Sequence, residues 1–379
     1  MLDLCFLIRS LAVGGAERQL VELVRHFPPG VARVTVLVFY PGGELEADLQ
    51  GLPGVTVRSL DKRGRWDLPR FLWRLRRAVR QLRPDVLVGC LAVAAEAALL
   101  VGRLSGTPVV WRLGTAYMDF SLYDWAPRAL FRLEASLSRF PEAIALNSHA
   151  GLAHHQAAGW SSDRMVVIPQ GFDVVRFRRE PDTGRALRQT WGVADAEVLV
   201  GMPARLDPIK DHLTFIEAAA LARRSCGRLR FVCVGGGDEA LRASLQLRSR
   251  ELGLADALVW AGHRSDMARV YNALDVACLT SLGEGLPNAI GEAMACGVPA
   301  VVTDVGDLAD LVGQTGRVVP VRDVPALAAA LVAMAQLPPV ARRGLGSAAR
   351  ERIESAYSIG HAAQAYLALL RDVAERRSR

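Results

Sequence analysis

The sequence predicts an α/β protein of two doubly wound, Rossmann-like domains facing a cleft. Three observations carry that expectation. Strand-like apolar runs alternate with helix-like stretches, the signature of β-α-β units around a parallel sheet. The alternation stops near residue 170 and then resumes. The length of 379 residues exceeds what one hydrophobic core usually supports, which favours two domains of roughly 180 residues each.

In chain order, "LCFLI", "VTVLVFY", "DVLVG", "PVVW" and "AIALN" read as strands, with "GAERQLVELVRHF" and "LPRFLWRLRRAVRQLRP" among the intervening helices, over a first domain of residues 1–170. "PQGFDVVRFRREPDTGRALRQTWGV" follows, rich in Arg, Gly and Pro and poor in periodicity, and reads as an interdomain connection. It opens a second domain of residues 171–357, in which "EVLVGMPA", "LRFVCVG", "ALVWAG", "DVACLT" and "VPAVVT" read as strands. A helix over about 358–379 closes the chain.

Hydrophobic residues make up 51% of the chain and charged residues 22%, an ordinary globular balance. No apolar run approaches the ~20 residues that cross a bilayer. "MLDLCFLIRS" lacks the basic start and long apolar core of a signal peptide, so a cytoplasmic protein is expected. Among the six cysteines, Cys5, Cys90, Cys233 and Cys278 lie in apolar strand-like runs and no C-x-x-C pair suggests zinc or redox chemistry. The net charge of +7 favours an anionic partner: nucleotide, nucleic acid or lipid headgroup. All but two of the 46 basic residues are arginine, so Lys62 and Lys210 mark places where a compact ammonium is wanted.

Ligands of doubly wound sheets bind beyond the carboxyl ends of the strands. After the first strand, Gly14 and Gly15 let backbone N–H groups and a helix N-terminus approach a phosphate, although a tight turn without ligand reads equally well. "VGGGDEA" formally matches the dinucleotide pattern G-x-G-x-x-A. That reading needs an acid at the end of the next strand, where Gly262, His263 and Arg264 stand instead, and nicotinamide is disfavoured. In "MPARLDPIKDH", Arg205 and Lys210 flank a Pro-containing turn and can converge on a diphosphate, with Asp211 or His212 opening a helix.

"GEGLPNAIGEAMACGVPAVVTD" carries two acids, Glu284 and Glu292. Pro287 suits the first turn of a helix over about 287–296, and Gly297 suits its left-handed end. Glu292 then lies within the helix and Glu284 in the loop before it, with Gly285, Leu286, Pro287, Asn288 and Ala289 between. Carboxylates accept hydrogen bonds from vicinal hydroxyls, and the amides of a helix start accept phosphate. Together they fit a nucleoside diphosphate sugar.

These residues resemble family 4 (GT4) of the glycosyltransferases, the group 1 retaining enzymes of the GT-B fold, over nearly the whole chain. The most specific part is the E-x7-E motif, Glu284 to Glu292. The resemblance implies that Glu284 touches the donor sugar, that Glu292 holds the ribose, and that Arg205 and Lys210 of the R-x4-K pattern meet the diphosphate. It further implies that Gly14 and Gly15 form the family's early glycine pair, that Gly262 and His263 lie near the base, and that the last helix crosses back onto the first domain. "IPQGFD" is similar to the interdomain I-P-N-G-x-D, with Gln170 in place of Asn. Many relatives carry a His after the strand equivalent to "PVVW", where this chain has Arg112, Leu113, Gly114 and Thr115. Arg112 and Thr115 are therefore candidates for positioning donor or acceptor, and a guanidinium does not act as a general base.

The implied reaction is retaining transfer from the nucleotide sugar to a saccharide or lipid-linked saccharide, with domain closure and no cofactor or metal; no D-x-D metal clamp occurs in the sequence. Cell-surface polysaccharide or glycolipid synthesis is the expected setting, and no nucleic acid partner is expected. A nucleotide-sugar epimerase of related fold and a catalytically silent nucleotide-sugar binder remain alternatives. "RFLWRLRRAVRQLR" interleaves arginines with Phe71, Leu72, Trp73 and Leu75 and suits peripheral contact with the cytoplasmic face of the inner membrane, or simply a packed surface helix. The donor base and sugar are not legible.

Overall fold

The computed structural model describes residues 1–64, 66–114 and 125–378. The chain divides into two compact units, Met1–Gly171 with Ile359–Arg379, and Phe172–Ser358. The first unit contains β1 (Leu2–Ile8), α1 (Gly15–Arg25), β2 (Ala32–Val38), β3 (Val55–Ser59), α2 (Leu68–Leu82), β4 (Val86–Cys90) and α3 (Ala92–Ser105). It continues with β5 (Val109–Leu113), α4 (Trp125–Leu137), β6 (Ala143–Leu146), α5 (His149–Ala157) and β7 (Met165–Val167). The second unit contains α6 (Pro181–Thr190), β8 (Val198–Pro203), α7 (His212–Ser225), β9 (Leu229–Val234), α8 (Glu239–Glu251), β10 (Leu258–Gly262) and α9 (Met267–Ala273). After these come β11 (Val276–Leu279), α10 (Asn288–Ala295), β12 (Ala300–Thr303), α11 (Leu308–Val312), β13 (Arg317–Val319), α12 (Val324–Gln336) and α13 (Pro339–Ala356). The last helix, α14 (Ile359–Ser378), belongs to the first unit.

Each unit is organised around one parallel sheet, of seven strands in the order β3-β2-β1-β4-β5-β6-β7 and of six in the order β10-β9-β8-β11-β12-β13. Parallel sheets bury both faces, which is why their strands read as continuous apolar runs. On one face of the first sheet Leu20 and Val24 of α1 pack with Leu367 and Leu370 of α14 against Phe6 and Val36. On the other, Phe71 and Leu75 of α2 and Ala94 and Ala98 of α3 cover Leu7 and Trp111. The second unit has one continuous core, from Phe172 to Ile353.

The order of the strands decides where chemistry can gather. In each sheet the first strand of its unit stands between two neighbours reached in opposite directions: β1 between β2 and β4, and β8 between β9 and β11. The loops leaving such neighbours diverge and open a crevice at the carboxyl ends. Lys210 leaves β8 and Glu284 leaves β11, so the topology brings together two residues far apart in sequence.

Two parts of the sequence reading change. Three strands, β3, β7 and β13, are absent from it; β3 is half-exposed, and β7 and β13 are three-residue edge strands, too short to show a periodicity. The stretch read as a featureless connection holds α6, with Pro181 in its first turn, packed beside α9. Phe177, Leu187 and Trp191 anchor it in the core of the second unit, and the stretch carries five arginines, which masked the pattern. Among the described residues no single helix is long and apolar enough to cross a membrane.

Candidate active site

The loop after β8 is built to hold Lys210 in place. Asp207 Oδ1 accepts from the Ile209 N–H at 3.2 Å and starts a short turn, and Asp211, at φ 49°, caps α7 by accepting from the Thr214 N–H at 3.4 Å, with the Thr214 hydroxyl also donating to it at 2.6 Å. The loop after β11 is tied to it. Thr280 Oγ1 lies 3.0 Å from the Lys210 carbonyl and 2.9 Å from that of Asp211, and the Leu282 N–H donates to the Ile209 carbonyl at 2.8 Å.

Within this frame the Lys210 ammonium forms an ion pair with Glu284 Oε1, the same oxygen that accepts from the Ser281 hydroxyl at 2.5 Å. Both side chains are largely enclosed, Lys210 at 20% exposure and Glu284 at 10%. The backbone of Glu284 is also fixed from behind. Gly306, at φ 58°, passes so close that a Cβ there would stand 2.3 Å from the Glu284 carbonyl oxygen, and the Asp307 N–H donates to the Gly285 carbonyl at 3.0 Å.

Arg205 does not join this pair. Its side chain is 70% exposed and bonded to Asp207 at 2.9 Å, so the two cations read as converging on one group are apart in this structure.

Glu292 lies in α10, buried at 7%, and accepts from the Tyr271 hydroxyl at 2.7 Å. Pro287 is the residue capping α10 rather than its first helical residue, Asn288 begins the helix, and Gly297 follows its end at φ 75°. Gly291 is required by packing: a Cβ would meet the Phe172 ring at 2.0 Å. The Leu286 side chain belongs to the core.

The glycine run after β9 serves backbone packing. A Cβ on Gly235 would lie 2.0 Å from the Ala204 carbonyl and one on Gly237 2.3 Å from that of Leu206, so the run lets the Arg205 loop close down. Asp238 caps α8 by accepting from the Leu241 N–H at 2.9 Å, filling the helix start with a carboxylate where a dinucleotide would put phosphate. Gly262, at φ 67°, accepts at its carbonyl from the Gly235 N–H, and His263 stands next to it beside Gly236.

In the first unit Gly14 caps α1, with the Glu17 carboxylate folded over it; a Cβ would be 2.1 Å from Glu17 Oε2. Gly15 is the first residue of α1. Arg112, near the carboxyl end of β5, sits 5.7 Å over the Tyr366 ring beside its strand partner Cys90, and its Nε is buried with no hydrogen-bond partner among the described residues. Thr115 lies outside the described residues. All the cysteines except the half-buried Cys226 are buried, and burial pushes the Cys5 and Cys90 thiols up to about 12 and about 11.

Sequence reasoning missed Thr280, Ser281 and Tyr271, and read His212 only as a possible helix start. The first two had a signal: a polar pair directly after a buried strand, at the end where ligands gather. His212 follows the Lys210 turn at 2% exposure, and burial pushes it down to about 4, which keeps it neutral.

Residues 197–336 match the family model described as Glycosyl transferases group 1, and residues 13–176 match Glycosyltransferase Family 4. The chain belongs to this family of glycosyltransferases. Relatives within it include a D-inositol 3-phosphate glycosyltransferase of Kribbella flavida, 29% identical over 371 residues, 90% of this chain and 87% of the relative. One of the same name from Nocardia farcinica is 34% identical over 171 residues, and the match spans 42% of this chain and 37% of that one. Anabaena HepE, solved in complex with UDP-glucose, superimposes with a TM-score of 0.82 at 22% identity over all of both chains. Sucrose-phosphate synthase of Thermosynechococcus elongatus superimposes at 0.81 and 19% identity, over 99% of this chain and 100% of that one. The fold is GT-B.

Proposed function

We propose that the protein is a retaining hexosyltransferase that moves a sugar from a nucleoside diphosphate to a saccharide or lipid-linked saccharide, in cell-surface polysaccharide or glycolipid synthesis. The observation that carries this reading is the enclosed Lys210–Glu284 ion pair on the two loops flanking the reversal of strand order. Each partner holds the other in readiness. A diphosphate exchanges the carboxylate for phosphate oxygens around the ammonium, and a sugar hydroxyl donates to the carboxylate so released.

Lys210 then stabilises the charge that grows on the leaving diphosphate, together with the amides at the start of α10, while Glu284 orients the sugar and Ser281 keeps its carboxylate aligned. Arg205 swings from Asp207 to the diphosphate, Glu292 accepts from the ribose, and Gly262 and His263 flank the base. Gly14 and Gly15 are further donor-binding residues on this reading. The departing phosphate takes the acceptor proton, with Arg112 and Thr115 positioning the reactants, and no metal takes part. HepE, solved with UDP-glucose, supports starting with UDP-hexoses, and the relatives named for inositol phosphate support including phosphorylated polyols among the acceptors. The enzyme works in the cytoplasm, peripheral to the inner membrane.

The test is incubation with a donor panel and with free, phosphorylated and lipid-linked acceptors, followed by NMR of the anomeric centre. Retained configuration, formation in EDTA and loss in Glu284→Gln are expected. Inversion refutes the class, metal-restored activity refutes metal independence, and donor conversion without acceptor assigns an epimerase.

A further inference from the structure

We propose that Ser281 and Thr303 are positioning residues that present one oxygen of Glu284, Oε2, to the donor sugar and so set which hexose is bound. The proposal rests on the donor reading of Glu284 above and supplies the source of its selectivity. The two carboxylate oxygens are chemically equivalent, but their surroundings are not. Oε1 takes the Lys210 ammonium and the Ser281 hydroxyl, whereas Oε2 has no partner among the described residues and is not closed off from solvent. The free oxygen is the one left for a ligand hydroxyl.

Of the two groups on Oε1, a diphosphate draws away Lys210. Ser281, at 0% exposure, stays behind and keeps the carboxylate from turning over. Its own place is fixed from the neighbouring strand. Leu279 of β11 pairs with Val302 of β12, and one residue further along β12 the Thr303 hydroxyl donates to the Ser281 carbonyl at 2.7 Å, with Thr303 also at 0% exposure. Thr280, the residue between Leu279 and Ser281, sends its hydroxyl the other way, to the Lys210 and Asp211 carbonyls. Successive residues leaving a strand point to opposite sides, so one hydroxyl steadies the backbone of the cation and the next steadies the carboxylate.

This arrangement selects among sugars by direction. A hydroxyl donates best near the plane of the oxygen that accepts it. With Oε1 tied, one plane and one oxygen face the sugar, and an epimer whose hydroxyl points elsewhere leaves Oε2 desolvated and unpaired. With Oε1 released, the carboxylate turns to follow either epimer. Selectivity between epimers then falls while the hold on the diphosphate stays.

Calorimetry on the full chain tests the proposal without any acceptor, using two epimer pairs, UDP-glucose with UDP-galactose and GDP-glucose with GDP-mannose, beside bare UDP and GDP. The wild type should prefer one member of a pair by about tenfold or more. Ser281→Ala should reduce that preference by about tenfold and Thr303→Val by about threefold, with the affinity for the bare diphosphate unchanged. Thr303→Ser, which keeps the hydroxyl, should restore it. A merely structural role would lower the melting temperature and leave the preference as it was. The Thr303 variants keep the test decisive if Ser281→Ala fails to fold. Glu284→Gln, measured alongside, separates the two failures. If it keeps the wild-type preference, the donor reading of Glu284 falls and the proposal with it. If it loses the preference while Ser281→Ala and Thr303→Val keep it, the donor reading stands and the proposal is overturned. Equal binding of both members of each pair by the wild type also overturns it.

Discussion

Tyr271 of α9 donates a hydrogen bond of 2.7 Å to Glu292 Oε2 of α10, and both side chains are buried. A buried carboxylate needs such donors, because an unsatisfied acceptor costs its desolvation. Tyr271→Phe should lower stability by about 1–3 kcal/mol and weaken the binding of free nucleotides, read by thermal unfolding and by calorimetry. Glu292→Gln should weaken free nucleotide and nucleotide sugar alike. Unchanged nucleotide affinity in both variants would separate Glu292 from the ribose.

The Lys210–Glu284 pair predicts two different losses. Lys210→Ala should lower kcat by about 10²- to 10³-fold and weaken the nucleoside diphosphate, with the fold retained. Glu284→Gln should impair transfer and sugar discrimination while leaving the affinity for the bare diphosphate near wild type. Steady-state kinetics with calorimetry decides, and unchanged kinetics in Lys210→Ala would remove the ammonium from the mechanism.

Gly306 offers a test that touches no charged group. At φ 58° a side chain is strained, and its Cβ would press on the Glu284 and Gly285 carbonyls at 2.3 and 2.6 Å. Gly306→Ala should therefore destabilise by about 1–3 kcal/mol and lower kcat/KM by displacing Glu284. Wild-type kcat/KM would show that the position of that backbone is immaterial.

Two buried groups give the units opposite responses to pH. Burial pushes His212 down from 6.5 to about 4, so between those values the unfolded chain takes up the proton first and stability falls as pH falls, by up to about 3 kcal/mol. Burial, and then the Glu96 charge, push Glu134 up from 4.5 to about 7, so the unfolded chain releases its proton first and stability falls as pH rises, by a similar amount. Urea unfolding at pH 5 and pH 8 should show Glu134→Gln stabilising the first unit at the higher pH only. His212→Leu should reduce the loss in the second unit on going to the lower pH.

The strands of both cores were legible because burial on two faces demands unbroken runs such as "LCFLI" and "LRFVCV", whereas β7 and β13 are too short and too exposed to demand anything. The candidate residues after β8 and β11 were legible one at a time as charges at strand ends. That Lys210 reaches Glu284 while Arg205 reaches Asp207 was not, because strand order and the packing of the two loops decide it, and neither is written in local spacing. The glycines after β9 match a dinucleotide motif that the following strand end already disfavoured; their reason is the approach of the Ala204 and Leu206 carbonyls.

The first unit is discontinuous: the chain leaves it at Gly171 and returns at Ile359. A ribosome therefore releases every residue of the second unit before the helix carrying Leu367, Leu370 and Val373 exists. The unit begun first is finished last. Until then one apolar face of its sheet is covered by α1 without its partner helix, so loss of the final helix should act as a folding lesion rather than a trimmed tail.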